Sequence, residues 1–177
     1  MMQFRDLARQ YQVLKTDIDQ AMLSVAAESH YIMGPQVKEL EQALAAYTGV
    51  KHCLTCANGT DALTLALKAW GIGPGDAVFV PDFTFFASAE VAALEGATPV
   101  FVDVDDITFN IDVKSLEAAI EQTLKEGILT PKVIVAVDLF GRRISRLGFL
   151  ACRYVYPKRQ CFFCLGHRYG GQQKICP

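Results

Sequence analysis

The tetrapeptide Asn58-Gly59-Thr60-Asp61 has the composition of a phosphate-binding turn. It lies between an apolar, strand-like run at 52–57 and a helix-like run at 62–70. A strand that turns through glycine into a helix leaves backbone N–H groups unpaired at the helix start, with the positive end of the helix dipole behind them. Such an arrangement binds a phosphate group. Asn-Gly is also typical of a plain turn that binds nothing, so both interpretations stay open at this point.

Helical periodicity dominates the first fifty residues. Apolar residues at spacings of three and four predict a helix from about Asp6 towards Glu28. Gly34-Pro35 interrupts the pattern, and a second helix is predicted to end at Gly49. Strand-like and helix-like runs then alternate, with strands at 52–57, 77–81, 99–103 and 133–137 and helices at 60–70, 84–95 and, capped by Asp112, through Leu124.

These strands lack polar alternation, and most are followed by a helix. Such runs are typical of parallel strands that are buried on both faces. The sequence therefore predicts an α/β fold with three layers, α/β/α, around a largely parallel sheet.

Ligands of such sheets bind beyond the carboxyl ends of the strands. Three segments are therefore expected on one edge: the tetrapeptide, Asp82 to Phe86, and Asp138 to Gly141. A phosphate site, the aromatic pair Phe85-Phe86 and the Asp138 carboxylate would together hold a flat, phosphorylated cofactor.

Each of these features also has a purely structural interpretation. Phe85 and Phe86 suit a hydrophobic core as well as a stacking surface. Asp138 suits a turn as well as a ligand contact. The carboxylates of Asp103, Asp105 and Asp106 resemble a metal cluster, but a solvated turn is favoured because no second ligand set of recognised spacing accompanies them.

The charge distribution changes abruptly after Gly141. Residues 1–141 contain all 19 acidic residues but only 9 of the 17 lysines and arginines, whereas residues 142–177 contain 8 basic residues and no acidic one. Four of the six cysteines also lie in this basic tail. Cys53 and Cys56, in the apolar run before the glycine turn, are expected to be buried thiols. The pattern differs from a secreted disulfide framework, and no targeting or membrane-spanning run is visible, so we expect a cytoplasmic protein without a membrane partner.

The order of motifs resembles the DegT/StrS-type sugar aminotransferases, enzymes of fold type I that depend on pyridoxal phosphate. The resemblance covers residues 1–141, and the tail 142–177 is unlike the family. The matching stretches are Tyr31 to Pro35, Leu40-Glu41, Ala57 to Leu63, Gly71 to Asp76, Val80-Pro81, Phe83 to Phe85, Ala87 to Ala89, Gly96 to Asp105, Thr108 to Asp112 and Val137 to Gly141.

The resemblance implies the N-terminal part of the large domain of an aminotransferase. Members of this family transfer an amino group, usually from glutamate, to a nucleotide-linked keto-sugar, and they form homodimers. By resemblance, Gly59, Thr60 and Asp61 would hold the phosphate of pyridoxal 5'-phosphate, and Phe85 would stack on its pyridine ring.

No residue of this sequence matches, by its motif, either of two catalytic groups that the family uses. The enzymes use a lysine that forms a Schiff base and an acid that keeps the ring nitrogen protonated. The tail contains no Asp or Glu, so the acid cannot come from it, and Lys158 and Lys174 lack the family context. The resemblance therefore implies a catalytically incomplete chain with unknown catalytic residues.

A changed reading frame would explain the foreign tail. Arg142 to Ser145 can be encoded as CGG-CGG-ATT-TCC, and reading one nucleotide earlier, after a C, gives Pro-Ala-Asp-Phe, which matches a common continuation of the family. Sequencing the DNA around the Gly141 codon tests this hypothesis.

Parts of the sequence also fit four other functions. Cys161 to Cys164 with His167, flanked by Cys152 and Cys176, could bind zinc, although a second well-spaced pair is absent and we predict no metal. The chain could also be a non-catalytic interaction module. His167 could replace the lysine, as in related sugar dehydratases. The basic, aromatic tail could contact nucleic acid, but an out-of-frame or disordered extension explains its composition without that partner.

Overall fold

The computed structural model describes residues 6–142 and, for the backbone alone, residues 161–165. The chain divides into two compact units, Met1–Thr55 and Cys56–Pro177. In the described part of the chain, no helix is both long enough and apolar enough to cross a bilayer.

The first unit contains the two predicted helices. Helix α1 (Leu7–Glu28) begins where the Asp6 carboxylate accepts a hydrogen bond from the Arg9 N–H at 2.8 Å. Helix α2 (Pro35–Thr48) begins with proline, whose fixed φ suits a first helical position, and ends at Gly49 with φ 71°. Neither helix contains a buried residue, so the apolar stripe of each stays partly or fully exposed.

The prediction of a strand at 52–57 is wrong. This segment is irregular, because no strand among the described residues pairs with it. The Thr55 N–H donates instead to the Glu41 carboxylate at 2.9 Å, and the Thr55 hydroxyl donates to the same oxygen at 3.0 Å. The prediction that both thiols are buried is wrong as well, because Cys56 is exposed and Cys53 is half-buried.

The second unit is a parallel sheet with helices on both faces, which confirms the predicted three-layer fold. Its strands have the order β2-β1-β3-β4, and every paired strand is parallel to its neighbour. The elements in chain order are α3 (Gly59–Ala69), β1 (Asp76–Pro81), α4 (Ala87–Leu94), β2 (Thr98–Val102), α5 (Val113–Glu126), β3 (Thr130–Val137), a 3₁₀ turn (Leu139–Gly141) and β4 (Cys161–Leu165).

Alternate residues of the central strands pack into two separate hydrophobic cores, one on each face of the sheet. Val78 and Val80 of β1 pack with Leu63 and Leu67 of α3 and with α4, whereas Phe79 packs on the opposite face with α5. This alternation is the period of two that a strand imposes. Strands β1 and β3 are therefore buried between helices, whereas β2 is partly exposed.

Local turns decide where the helices of this unit begin. Helix α5 begins after Asp112, as predicted, because the Asp112 carboxylate accepts a hydrogen bond from the Ser115 N–H at 2.7 Å. Helix α4 begins at Ala87, three residues later than predicted. The residues before it form a turn in which the Thr84 and Ser88 hydroxyls lie 3.2 Å apart.

Candidate functional site

The start of α3 has the geometry of an anion site. Asn58 caps the helix in an extended conformation, and its Oδ1 accepts a hydrogen bond from the Asp61 N–H at 2.9 Å. The Asn58 carbonyl accepts from the Ala62 N–H at 3.2 Å. Within the described residues, the N–H groups of Gly59 and Thr60 find no acceptor. These two donors are therefore available to a phosphate at the positive end of the helix dipole.

The space beside these donors is open. A Cβ atom built on Gly59 would meet no heavy atom within 4 Å. A shallow hollow along the first turns of α3 is lined by Cys56, Asp61, Thr64 and Leu65, and this lining includes neither Gly59 nor Thr60. The Cys56 thiol faces the same turn and donates to the Asn58 carbonyl at 3.2 Å. The turn is thus formed by the protein but not filled by its side chains.

Chain direction places this turn at the carboxyl edge of the sheet. Helix α3 packs on β1 through Leu63 and Leu67, and only the short segment 70–75 connects the two elements. The helix therefore runs antiparallel to β1, and its start lies on the edge where β1 ends. The segments after β1 and β3 lie on the same edge, because these strands are parallel neighbours.

The segment after β1 presents two aromatic rings to solvent. The Asp82 N–H continues the sheet pairing by donating to the Val102 carbonyl at 2.9 Å. The side chains of Phe85 and Phe86 that follow are 76% and 73% exposed. A hydrophobic-core role for these rings is therefore excluded, and either ring is free to stack on a planar ligand.

The segment after β3 turns sharply. The Gly141 N–H donates to the Asp138 carbonyl at 3.1 Å, which closes the 3₁₀ turn that follows Asp138. Phe140 has φ 55°, a left-handed conformation that is unusual for a phenylalanine. Asp138 thus begins a turn, as one of its two sequence interpretations predicted.

The acidic cluster after β2 is organised around backbone donors. Asp105 Oδ1 accepts hydrogen bonds from the Thr108 N–H at 2.7 Å and the Ile107 N–H at 3.2 Å. The hydrogen bonds from Thr108 are the main reason why the pKa of Asp105 lies below its ordinary value. Asp103 accepts similarly from the Val104 N–H at 2.8 Å. The predicted turn is confirmed at these positions, and among the described residues no three metal-ligating side chains come together.

Sequence reasoning missed the ring contacts of Phe109 on this edge. Phe109 has φ 58°, and its ring centroid lies 5.4 Å from that of Phe83 and 6.0 Å from that of Phe140. A large aromatic residue inside the polar stretch 103–112 was the available signal. The zinc-ligand candidates, Lys158, Lys174 and His167 fall in the tail, whose side chains lie outside the described residues.

The fold and this edge define a class: an α/β domain with a helix start at the carboxyl edge of its parallel sheet. The chain belongs to the DegT/DnrJ/EryC1/StrS aminotransferase family, whose model matches residues 12–148. The resemblance inferred from the motifs is thereby confirmed.

Similar proteins agree with this assignment. The UDP-2-acetamido-2-deoxy-3-oxo-D-glucuronate aminotransferase of Pseudomonas aeruginosa is 44% identical over 161 residues, which are 89% of this chain and 42% of that protein. The crystal structure of a DegT DnrJ EryC1 StrS aminotransferase from Brucella abortus superposes with a TM-score of 0.83 at 51% identity, covering 93% of this chain and 43% of that one. The Spr1654 protein of Streptococcus pneumoniae in its PLP form gives a TM-score of 0.64 at 34% identity, covering 74% and 32%.

The chain spans less than half the length of these relatives. The matched part contains the start of α3 and the segments after β1, β2 and β3, so the family assignment applies to the candidate site. The individual contacts of Gly59, Thr60, Asp61 and Phe85 with a cofactor stay predictions.

Proposed function

We propose that this chain is the phosphate-binding part of a pyridoxal-phosphate-dependent sugar aminotransferase. The observation that carries the proposal is the pair of unengaged N–H groups at Gly59 and Thr60, in a segment that matches the family. The name of the Pseudomonas relative supports a nucleotide-linked keto-sugar as the amino acceptor. Glutamate as the donor rests on the family resemblance.

The described residues fit the phosphate end of the cofactor. The amides of Gly59 and Thr60 and the Thr60 hydroxyl would bind the phosphate oxygens. Asp61 would act through the cap, because its N–H is held by Asn58 and its carboxylate accepts from the Asn58 amide nitrogen at 3.1 Å. The exposed ring of Phe85 would lie against one face of the pyridine ring.

When bound, the cofactor supplies the electron sink that amino-group transfer requires. The residues of this chain hold and orient it, and the open space at Gly59 admits the phosphate close to the backbone. No residue is assigned as the Schiff-base lysine or the acid at the ring nitrogen. We therefore propose cofactor binding for this chain and leave amino transfer to the complete family enzyme.

We further propose that the chain associates as a homodimer. Helices α1 and α2 bury none of their residues, although they carry large apolar side chains such as Leu23, Met22 and Tyr47, which are 59–70% exposed. Exposed apolar surface of this kind favours association. Light scattering coupled to size exclusion, across a dilution series, tests the assembly, and a monomer at every concentration would contradict it.

Titration with pyridoxal 5'-phosphate tests the cofactor assignment. At a ligand concentration of about one hundred times the Kd, we expect the thermal midpoint to rise by roughly 5–10 °C. Pyridoxal, which has the same ring but lacks the phosphate, serves as the control. An equal response to the two compounds, or no response to either, contradicts a phosphate site at α3.

A matched pair of variants tests the ring contact. Phe85→Leu and Phe86→Leu remove neighbouring rings of similar exposure. Both variants should therefore have an unfolding free energy within about 0.5 kcal/mol of the parent protein's. We expect Phe85→Leu to weaken cofactor binding by roughly two- to tenfold, the range of an aromatic stacking contact. A larger loss of affinity with Phe86→Leu would show that Phe86, and not Phe85, stacks on the cofactor ring.

A further inference from the structure

The segment 103–112, which we call the rim loop, connects β2 to α5 across the carboxyl edge of the sheet. Its two ends are joined by an antiparallel bridge between Val104 and Ile111. The Asp105 N–H donates to the Asn110 carbonyl, and the Asp112 N–H donates to the Asp103 carbonyl, both at 2.9 Å. The rim loop is therefore closed by its own backbone, and its tip is presented as a unit.

Phe109, at the tip of the rim loop, contacts two other segments of the edge. Its ring centroid lies 5.4 Å from that of Phe83, which follows β1, and 6.0 Å from that of Phe140, which follows β3. The contact with Phe140 is edge-to-face, with the ring planes 88° apart, which is a favourable arrangement. One side chain thus connects the two segments that frame the proposed cofactor ring.

The backbone is strained at both ends of the Phe109–Phe140 contact. Phe109 has φ 58° and Phe140 has φ 55°, in the left-handed region that residues other than glycine, asparagine and aspartate rarely occupy. Such conformations persist only where the surroundings impose them, and they concentrate at functional sites. These two strained residues contact each other through their rings.

A polar contact joins the same two segments independently. The Arg142 guanidinium donates from Nη1 to the Ile107 carbonyl at 3.3 Å, linking residues that are 35 positions apart. Arg142 follows the 3₁₀ turn, and Ile107 belongs to the rim loop. The segment after β3 is therefore attached to the rim loop through one ring contact and one hydrogen bond.

We propose that Phe109 is a positioning residue for the cofactor ring. It holds the segments 82–86 and 138–142 in place beside the rim loop, so that both would lie next to one planar ligand bound at this edge. This inference rests on the proposed function, and it adds that the rim loop controls the ring subsite and not the phosphate subsite. The phosphate donors belong to α3, and none of the ring contacts or backbone hydrogen bonds described for Phe109 involves that helix.

Three variants isolate the Phe109 ring. Phe109→Leu keeps an apolar side chain on the same left-handed backbone but removes the aromatic contacts. Phe109→Tyr keeps the ring and should restore the behaviour of the parent protein. Phe101→Leu is the matched control, because it removes a 62% exposed phenylalanine from β2, outside the rim loop.

Two measurements on the full chain test the proposal. Amide hydrogen exchange in the ligand-free protein reports how firmly the segments 82–86 and 138–142 are held. For Phe109→Leu we expect exchange in both segments to accelerate by roughly three- to tenfold, the range of a lost aromatic pair. Titrations then compare pyridoxal 5'-phosphate with inorganic phosphate: we expect the affinity for the first to fall by a similar factor and that for the second to stay within twofold.

Each outcome bears on one claim. Unchanged exchange in either segment overturns the positioning role, even if the parent protein binds no cofactor. Equal losses of affinity for the cofactor and for inorganic phosphate also overturn it, because they indicate a general loss of structure. If the parent protein responds to neither ligand, the proposed function fails, while the exchange experiment still decides whether Phe109 connects the two segments.

Discussion

Asn58 holds Asp61 with both ends of its side-chain amide. Its Oδ1 accepts from the Asp61 N–H at 2.9 Å, and its Nδ2 donates to the Asp61 carboxylate at 3.1 Å. This reciprocal cap fixes the first turn of α3 while leaving the Gly59 and Thr60 amides exposed to a ligand. We therefore expect the stability of the helix and the affinity of the proposed anion site to depend on the same residue.

Asn58→Ala should destabilise the protein by about 1 kcal/mol, since it removes a helix cap. Urea unfolding measures this loss, and Asp6→Ala, which removes the side-chain cap of α1 outside the candidate site, should cost a similar amount. Only Asn58→Ala should also weaken cofactor binding. If the two variants weaken binding equally, the effect reflects global stability and not the site.

Gly59→Ala should separate folding from binding. Position 59 has open space for a methyl group, so we expect the unfolding free energy to stay equal or to rise by up to about 0.5 kcal/mol. The same methyl group would occupy the space that the phosphate requires, and cofactor affinity should fall at least tenfold. Gly127→Ala is the contrast: Gly127 has φ 67°, so alanine there should destabilise the protein by about 1 kcal/mol. An unchanged affinity in Gly59→Ala places the phosphate elsewhere.

The core of α5 permits a matched test of the three-layer fold. Leu116 is fully buried against the sheet, whereas Leu124 on the same helix is 53% exposed. Leu116→Ala should cost roughly 2–5 kcal/mol through lost burial and the cavity it leaves. Leu124→Ala should cost less than about 1 kcal/mol. Similar losses in urea unfolding would contradict the packing of α5 on this face.

Periodicity predicted the elements that carry their own pattern. Helix α5 shows both an apolar face and a capping residue, Asp112, so its start could be assigned from local residues alone. The buried strand β3 was predicted because Val133 to Val137 is continuously apolar. Its first residues, from Thr130, contain Pro131 and Lys132 and gave no strand signal.

The errors arose where neighbours in space decide the outcome. The run at 52–57 has an apolar composition, but a strand forms only where another strand supplies hydrogen bonds. The exposure of Phe85 and the contact of Phe109 with Phe140 likewise depend on how separate connections meet at one edge. The start of α3 was the exception, because its cap, glycine and following helix are consecutive in sequence.

The Asp105 carboxylate provides a test of the rim loop by pH. Its folded-state pKa is lowered from 3.8, first by the hydrogen bonds from Thr108 and least by the positive charge of Arg142. A depressed pKa means that the ionised carboxylate stabilises the fold above the unfolded-state value of 3.8, and that this contribution disappears as the pH falls through the lower folded-state pKa. Asp105→Asn keeps an acceptor of the same shape but removes the charge that strengthens these hydrogen bonds.

We therefore expect the urea midpoint of Asp105→Asn to lie below that of the parent protein at pH 7, and the difference to shrink as the pH falls below about 3.8. Asp106→Asn is the control, because it removes a neighbouring charge that accepts no hydrogen bond among those described. Subtracting its effect corrects for the change in net charge. A difference that stays constant or grows between pH 7 and pH 3 would mean that Asp105 does not hold the turn as a carboxylate, and the rim loop would then depend on its backbone hydrogen bonds and on Phe109.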